Sequence, residues 1–342
     1  MDTGGSLREG GNRPILCWRR RARRTQYYVL NALPDCSGPW AGCCVAHARA
    51  SIRMNLQKEV LKAREILLAK GVDKRFCRFG PKGETVPERI WAPAQAMSKF
   101  QMEQALGDWA EERVATAINR STDCKAIAFG DNDKTLSQEE SFAALYRAGK
   151  VRELEFGKRS DLLLFKRTTE TPKEATVLSG EEAEVLCRSC EAALEVRSSR
   201  TSAHRYIDYC KKQKELGKRP ARMEPSYTVK VEDLSKVYRW MARNKKPLIY
   251  VQVFFDSIYA LNFTEVFRFI NSKGEKLTLE NPSRSGKFTI MIPLSLGRQI
   301  GTVTPPDFEV VHTMHDNGRH DIYARPLGGD AVIDLKELLA VI

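Results

Sequence analysis

Apolar residues recur at helical spacing from Met54, where Leu56, Val60, Leu61, Ile66 and Leu67 suit one face of a helix. A second helix is predicted from Ser98 to Asn119, striped by Leu106, Ala110, Val114, Ala117 and Ile118. Glu111 lies at the edge of that stripe, while Glu112 points nearly opposite. The segments Ser121 to Glu140 and Thr168 to Ser179 are polar and read as irregular chain. Short helical pieces are expected at Ser141 to Gly149 and Glu181 to Cys187, and longer ones at Ser202 to Leu216 and Lys230 to Asn244. Three apolar runs have strand length: Ser160 to Phe165, Ala192 to Arg197 and Pro247 to Phe255. From Phe267 onward the pattern reads as short strands and turns. Strands alternating with helices and followed by a strand-rich tail predict an α/β fold, with a central mixed sheet flanked by helices.

Residues 1–53 break this pattern. They hold paired glycines, the basic run Arg19 to Arg24, and no sustained period. They are expected to be a poorly structured or non-native extension, with a DNA-touching basic arm and a transit peptide as the competing readings. The domain is expected over 54–342, with its catalytic core at about 98–260. No apolar run is long enough to span a bilayer. The 56 basic against 43 acidic residues, net +13, favour a polyanionic partner. Nine scattered cysteines form no framework, which suggests free thiols in a reducing cytoplasm.

Two acids stand out because they lie in apolar runs. Asp161 opens Leu162-Leu-Leu-Phe165, and Glu195 is embedded in Ala192-Ala-Leu-Glu-Val196. A carboxylate in a buried strand needs a partner or a cation. Two of them aimed at one point from adjacent strands make a hard-oxygen site suited to Mg2+. Such a site could polarise a phosphodiester and activate water. The competing structural reading has Asp161 capping a turn after Gly157 and Glu195 paired with Arg197 or a lysine.

Ser160-Asp161 and Glu195-Val196-Arg197 resemble the PD-(D/E)xK nuclease motif, with Ser160 where the family usually has Pro. The resemblance implies that Asp161 and Glu195 bind a divalent metal and that an acid comes from a preceding helix, for which Glu111 is the candidate. The third motif residue is usually Lys and is Arg197 here. Arg stays protonated, so Arg197 is expected to orient water or steady negative charge and not to act as a base. Lys158 or Lys166 is a candidate for the missing amine. The stretches Gly157 to Asp161, Leu194 to Ser199, Ser226 to Leu234 and Tyr250 to Tyr259 are similar to type II restriction endonucleases of the AccI kind. This implies a Mg2+-dependent homodimer cutting a short palindrome in double-stranded DNA, beside a methyltransferase that protects the host. Lys158, Arg159, Arg200, His204 and Arg205 are candidate DNA contacts, as are the lysines from Lys211 to Lys218 and Arg219.

Weaker signals suggest rivals. A DNA- or RNA-binding protein without catalysis, a degenerate nuclease, would account for Arg197. Cys187-Arg-Ser-Cys190 has the spacing of a zinc pair but lacks a second pair. His312 and His315 could serve a zinc enzyme, although Asp316-Asn-Gly-Arg319 between two strand-like runs reads better as a hairpin turn.

Overall fold

The stripe at 56–69 folds as a helix, α1, with Val60, Ala63 and Leu67 turned to the core. The computed structural model describes residues 56–80, 98–130, 139–172, 175–176, 178, 180–220, 222–280, 288–314, 318 and 320–342. These all belong to one unit, Ile52–Ile342. The expectations for residues 1–53, and for His315 and most of the Asp316–Arg319 turn, lie outside the described residues.

Helix α2 covers Ser98–Asn119, as its stripe predicts, and buries Leu106, Ala110, Val114 and Ile118 together with Trp109. The polar stretch after it holds a strand, β1 (Cys124–Ala128), and helix α3 (Glu139–Phe156) runs a further two turns beyond the expected piece. There follow β2 (Leu162–Lys166), α4 (Gly180–Ser189), β3 (Ala192–Ser198) and α5 (Ala203–Glu215). Next come β4 (Ser226–Lys230), α6 (Val231–Asn244), β5 (Leu248–Val253) and β6 (Ser257–Asn262). The expectation of strands from Phe267 onward is corrected at its start, because Phe267 lies in helix α7 (Thr264–Lys273). Val266, Phe267 and Ile270 form one buried face there, a helical spacing hidden by strand-favouring residue types. The remainder is β7 (Thr289–Pro293), β8 (Arg298–Val303), β9 (Asp307–Met314), β10 (His320–Leu327), β11 (Ala331–Ile333) and the short α8 (Leu335–Leu339).

Seven strands form one mixed sheet in the order β1-β2-β3-β5-β6-β8-β11. β3 and β5 are parallel, and the other neighbours are antiparallel. The parallel pair requires a crossover, which α5, β4 and α6 supply. β9 pairs with β10 as a separate antiparallel ribbon, in agreement with the expected hairpin, and β4 pairs with β7.

The sheet has an apolar layer on each face, set by the two-residue alternation of strands. Leu162, Leu164, Ala192, Leu194 and Val196 pack on the side of α2. Leu163, Phe165, Ala193 and Tyr250 pack on the side of α1, α4, α6 and α7. By the same alternation Glu195 and Arg197 share the face of Ala193, toward α6, and this places an ion cluster under that helix. No helix among the described residues is long and apolar enough to cross a membrane.

Candidate active site

Asp161 sits where the chain enters β2. Its carbonyl accepts the N–H groups of Phe129 (2.9 Å) and Gly130 (3.1 Å) at the end of β1. Its side-chain Oδ2 accepts the N–H of Val196 at 2.7 Å, so it is bonded to the residue that follows Glu195. This bond brings the two acids expected to work together close to each other, Asp161 at the entry to β2 and Glu195 midway along β3. Burial first, then the charges of Glu195 and Glu111, push the Asp161 carboxyl well above the usual carboxylate range. Arg197 and Lys158 oppose that rise without cancelling it. Glu111, half-buried on α2, therefore belongs to the same electrostatic site.

Glu195 is 1 % exposed, and its two oxygens have different surroundings. Oε1 takes Lys158 Nζ at 2.6 Å and the Arg197 guanidinium at 2.6 Å. Oε2 is buried and has no hydrogen-bond partner among the described residues. A buried carboxylate oxygen left bare costs of order 1–3 kcal/mol or more, and a cation is the natural remedy. Among the described residues no group of three His, Cys, Asp or Glu side chains is placed to hold a metal ion. Mg2+ is commonly held by only one or two carboxylates, with water and phosphate oxygens completing its shell. The bare oxygen of Glu195 and the crowded carboxylate of Asp161 fit that demand.

The cations are fixed by further groups. Lys158 Nζ also meets Asp233 at 3.4 Å, and Arg197 reaches the same carboxylate at 3.9 Å. Asp233 lies in the first turn of α6. Burial alone would raise its carboxyl, but Lys158, Arg197, Lys236 and Lys230 hold it far below the ordinary range. The acids Asp233 and Glu195 likewise raise the Lys158 ammonium, against burial and the repulsion of Arg197. Arg197 Nε donates to Tyr250 Oη at 3.3 Å, and its guanidinium lies 6.0 Å from the centre of that ring. Tyr250 in turn donates to the carbonyl of Thr228 at 3.1 Å.

The other residues singled out in the sequence separate into two groups. Lys158 is a buried member of the acid cluster and not a surface cation. Arg159 stacks on Phe129 at 4.0 Å and donates to the carbonyls of Leu178 (2.9 Å), Ala175 (3.0 Å) and Thr176 (3.0 Å), tying down the segment between β2 and α4. Arg200, His204 and Arg205 stand at the exposed start of α5. Arg200 pairs with Glu103 at 2.9 Å, and His204 Nδ1 is 3.5 Å from Asp256. Lys211, Lys212 and Lys214 are exposed on the same helix, followed by Lys218 and Arg219. Lys166, the other candidate amine, is exposed at the far end of β2.

Sequence reasoning missed Asp233, Tyr250 and Asp256. Asp256, in the turn between β5 and β6, accepts the N–H groups of Ala203 (2.8 Å) and His204 (2.9 Å) and so caps α5. An acid in the first turn of a helix is ordinary dipole chemistry, which concealed Asp233. The CxxC cysteines are buried, Cys190 donates to the carbonyl of Cys187 at 3.1 Å, and burial pushes the two thiols up to about 11 for Cys187 and about 12 for Cys190. His312 and His320 stack on the β9–β10 ribbon with ring centres 4.9 Å apart.

A family model described as AccI restriction endonuclease matches the chain over residues 67–218 and 207–342. No curated protein and no solved structure matches it. The matched stretches contain Glu111, Lys158, Asp161, Glu195, Arg197 and Asp233. The chain belongs to the AccI restriction endonuclease family, hydrolases that cut double-stranded DNA at specific sites.

Proposed function

We propose that this protein is a Mg2+-dependent type II restriction endonuclease whose cleavage site is built on Asp161 and Glu195 in the manner of PD-(D/E)xK nucleases. The observation that carries this reading is the 2.7 Å bond from the Val196 N–H to Asp161 Oδ2, which ties the entry to β2 to the middle of β3, next to Glu195 and its bare Oε2. Asp161 and Glu195 would hold the metal. When bound, Mg2+ supplies Lewis acidity for the phosphodiester and makes water a better nucleophile. Glu111 tunes Asp161 by charge. Arg197, whose side chain is 37 % accessible, is open enough to meet a phosphate oxygen and steady the negative charge of an in-line displacement. Cleavage leaves a 5′-phosphate. The exposed basic start of α5 supplies charge for the DNA backbone.

The recognition site is expected to be a short palindrome read by a homodimer, since a two-fold sequence mirrors two-fold protein symmetry. The activity belongs in a restriction–modification system with a protecting methyltransferase, in the cytoplasm with the DNA it acts on. Plasmid DNA incubated with the protein should give discrete bands with Mg2+ and remain intact in EDTA. A second reading, DNA binding without cleavage, is favoured by one observation: Glu195 Oε1 is already neutralised by two cations. DNA that shifts at low salt but stays uncut over a range of Mg2+ concentrations would select it.

A further inference from the structure

Lys158 is anchored differently from the other cation on Glu195. It comes from the loop before β2, whereas Arg197 shares the strand of Glu195. It is 9 % exposed, and its ammonium lies between two acids, Glu195 at 2.6 Å and Asp233 at 3.4 Å. The backbone is shaped to deliver it there. Gly157, immediately before it, has φ +94 and runs so close to α6 that a Cβ would fall 2.6 Å from the Trp240 nitrogen. The Lys158 N–H then donates to the Lys236 carbonyl at 3.1 Å, next to the turn of α6 that bears Asp233. Burying such a triad of charges is a weak source of stability compared with apolar packing, which suggests that it serves the site.

We propose that Lys158 and Asp233 are a positioning pair for cleavage: the ammonium pins Glu195 through Oε1 and leaves Oε2 for the divalent cation, while Asp233 fixes the ammonium. Neither residue touches the reacting atoms in this scheme. Arg197, which shares Glu195 Oε1 at 2.6 Å and donates to the Tyr250 hydroxyl, is the more accessible of the two cations and is the one placed to meet the DNA as well. The inference rests on the reading of Asp161 and Glu195 as the metal-binding acids.

The test is single-turnover cleavage at saturating Mg2+, with Ca2+ affinity measured by calorimetry and thermal stability followed in parallel. Lys158→Met should lower the cleavage rate by about a hundredfold through misplacement of Glu195, bind Ca2+ at least as tightly as the parent because a competing charge is gone, and bind DNA normally. Lys158→Arg should recover at least about tenfold over Lys158→Met by restoring a cation. Asp233→Asn should slow cleavage in the parent yet change it by less than about twofold in the Lys158→Met background, since the two act as one unit. If Lys158→Met does not fold, Lys158→Met/Asp233→Asn, which removes one charge of each sign, is measured in its place against the same outcomes. The proposal is overturned if the folded variant cuts within about threefold of the parent while Glu195→Ala is inactive, if Ca2+ binding is lost along with cleavage, or if neither variant folds. A Glu195→Ala protein that cuts normally would instead overturn the reading beneath it.

Discussion

Among the described residues, Glu195 carries two cations on one oxygen and none on the other, and Asp161 faces it with a carboxyl raised by burial, Glu195 and Glu111. The sign of the resulting linkage follows from that direction. An acid raised by folding imposes no cost below its ordinary value, near 3.9. It costs stability increasingly as pH rises through its folded value. A divalent cation that binds the folded protein relieves this cost and competes with the proton. Saturating Ca2+ should therefore raise the melting temperature more at about pH 8 than at about pH 5. Asp161→Asn should shrink that difference. A Ca2+ shift that is equal at the two pH values, or larger in acid, would contradict the assignment of the raised acid to the metal site.

At the scale of elements, the site depends on the loop between α3 and β2 pressing against α6. Gly157 permits this through its positive φ and its missing Cβ, which would lie 2.6 Å from one backbone atom and 2.7 Å from another. Gly157→Ala should cost about 1–3 kcal/mol from the backbone strain alone, more from the clash, and should slow cleavage by shifting Lys158. Gly217→Ala, at φ +72 with nothing within 4 Å, bears strain without collision and is the control. Urea denaturation of the two variants checks the order; equal costs would show that the close approach to α6 is unimportant.

The sequence made some of these elements plain and hid others for physical reasons. The α2 stripe is long and regular enough to set both ends, and β2 and β3 are short continuous apolar runs in which an acid is conspicuous. β1 escaped notice because it is a short edge strand of the sheet, Cys-Lys-Ala-Ile-Ala, inside a polar stretch. The acids Asp161 and Glu195 were legible from their own strands. The Lys158–Asp233 contact was not, because it joins residues 75 positions apart through the packing of α6 on the sheet. From sequence Lys158 suits either a phosphate contact or a replacement amine, and only the fold shows it pointing at Glu195.

For the whole molecule, the mixed sheet gathers acids from α2, β2, β3 and α6 at one place, and the chain's net charge of +13 suits a polyanionic substrate. The family supplies the activity, cutting double-stranded DNA, and the geometry supplies the residues proposed to perform it. The most direct test of the account is cleavage and binding by Asp161→Ala and Glu195→Ala beside the parent, using one plasmid substrate with Mg2+ for cutting and Ca2+ for binding. The account predicts that both variants bind DNA within about threefold of the parent and cut at least about a thousandfold more slowly. Either variant cutting at the parent rate would contradict it.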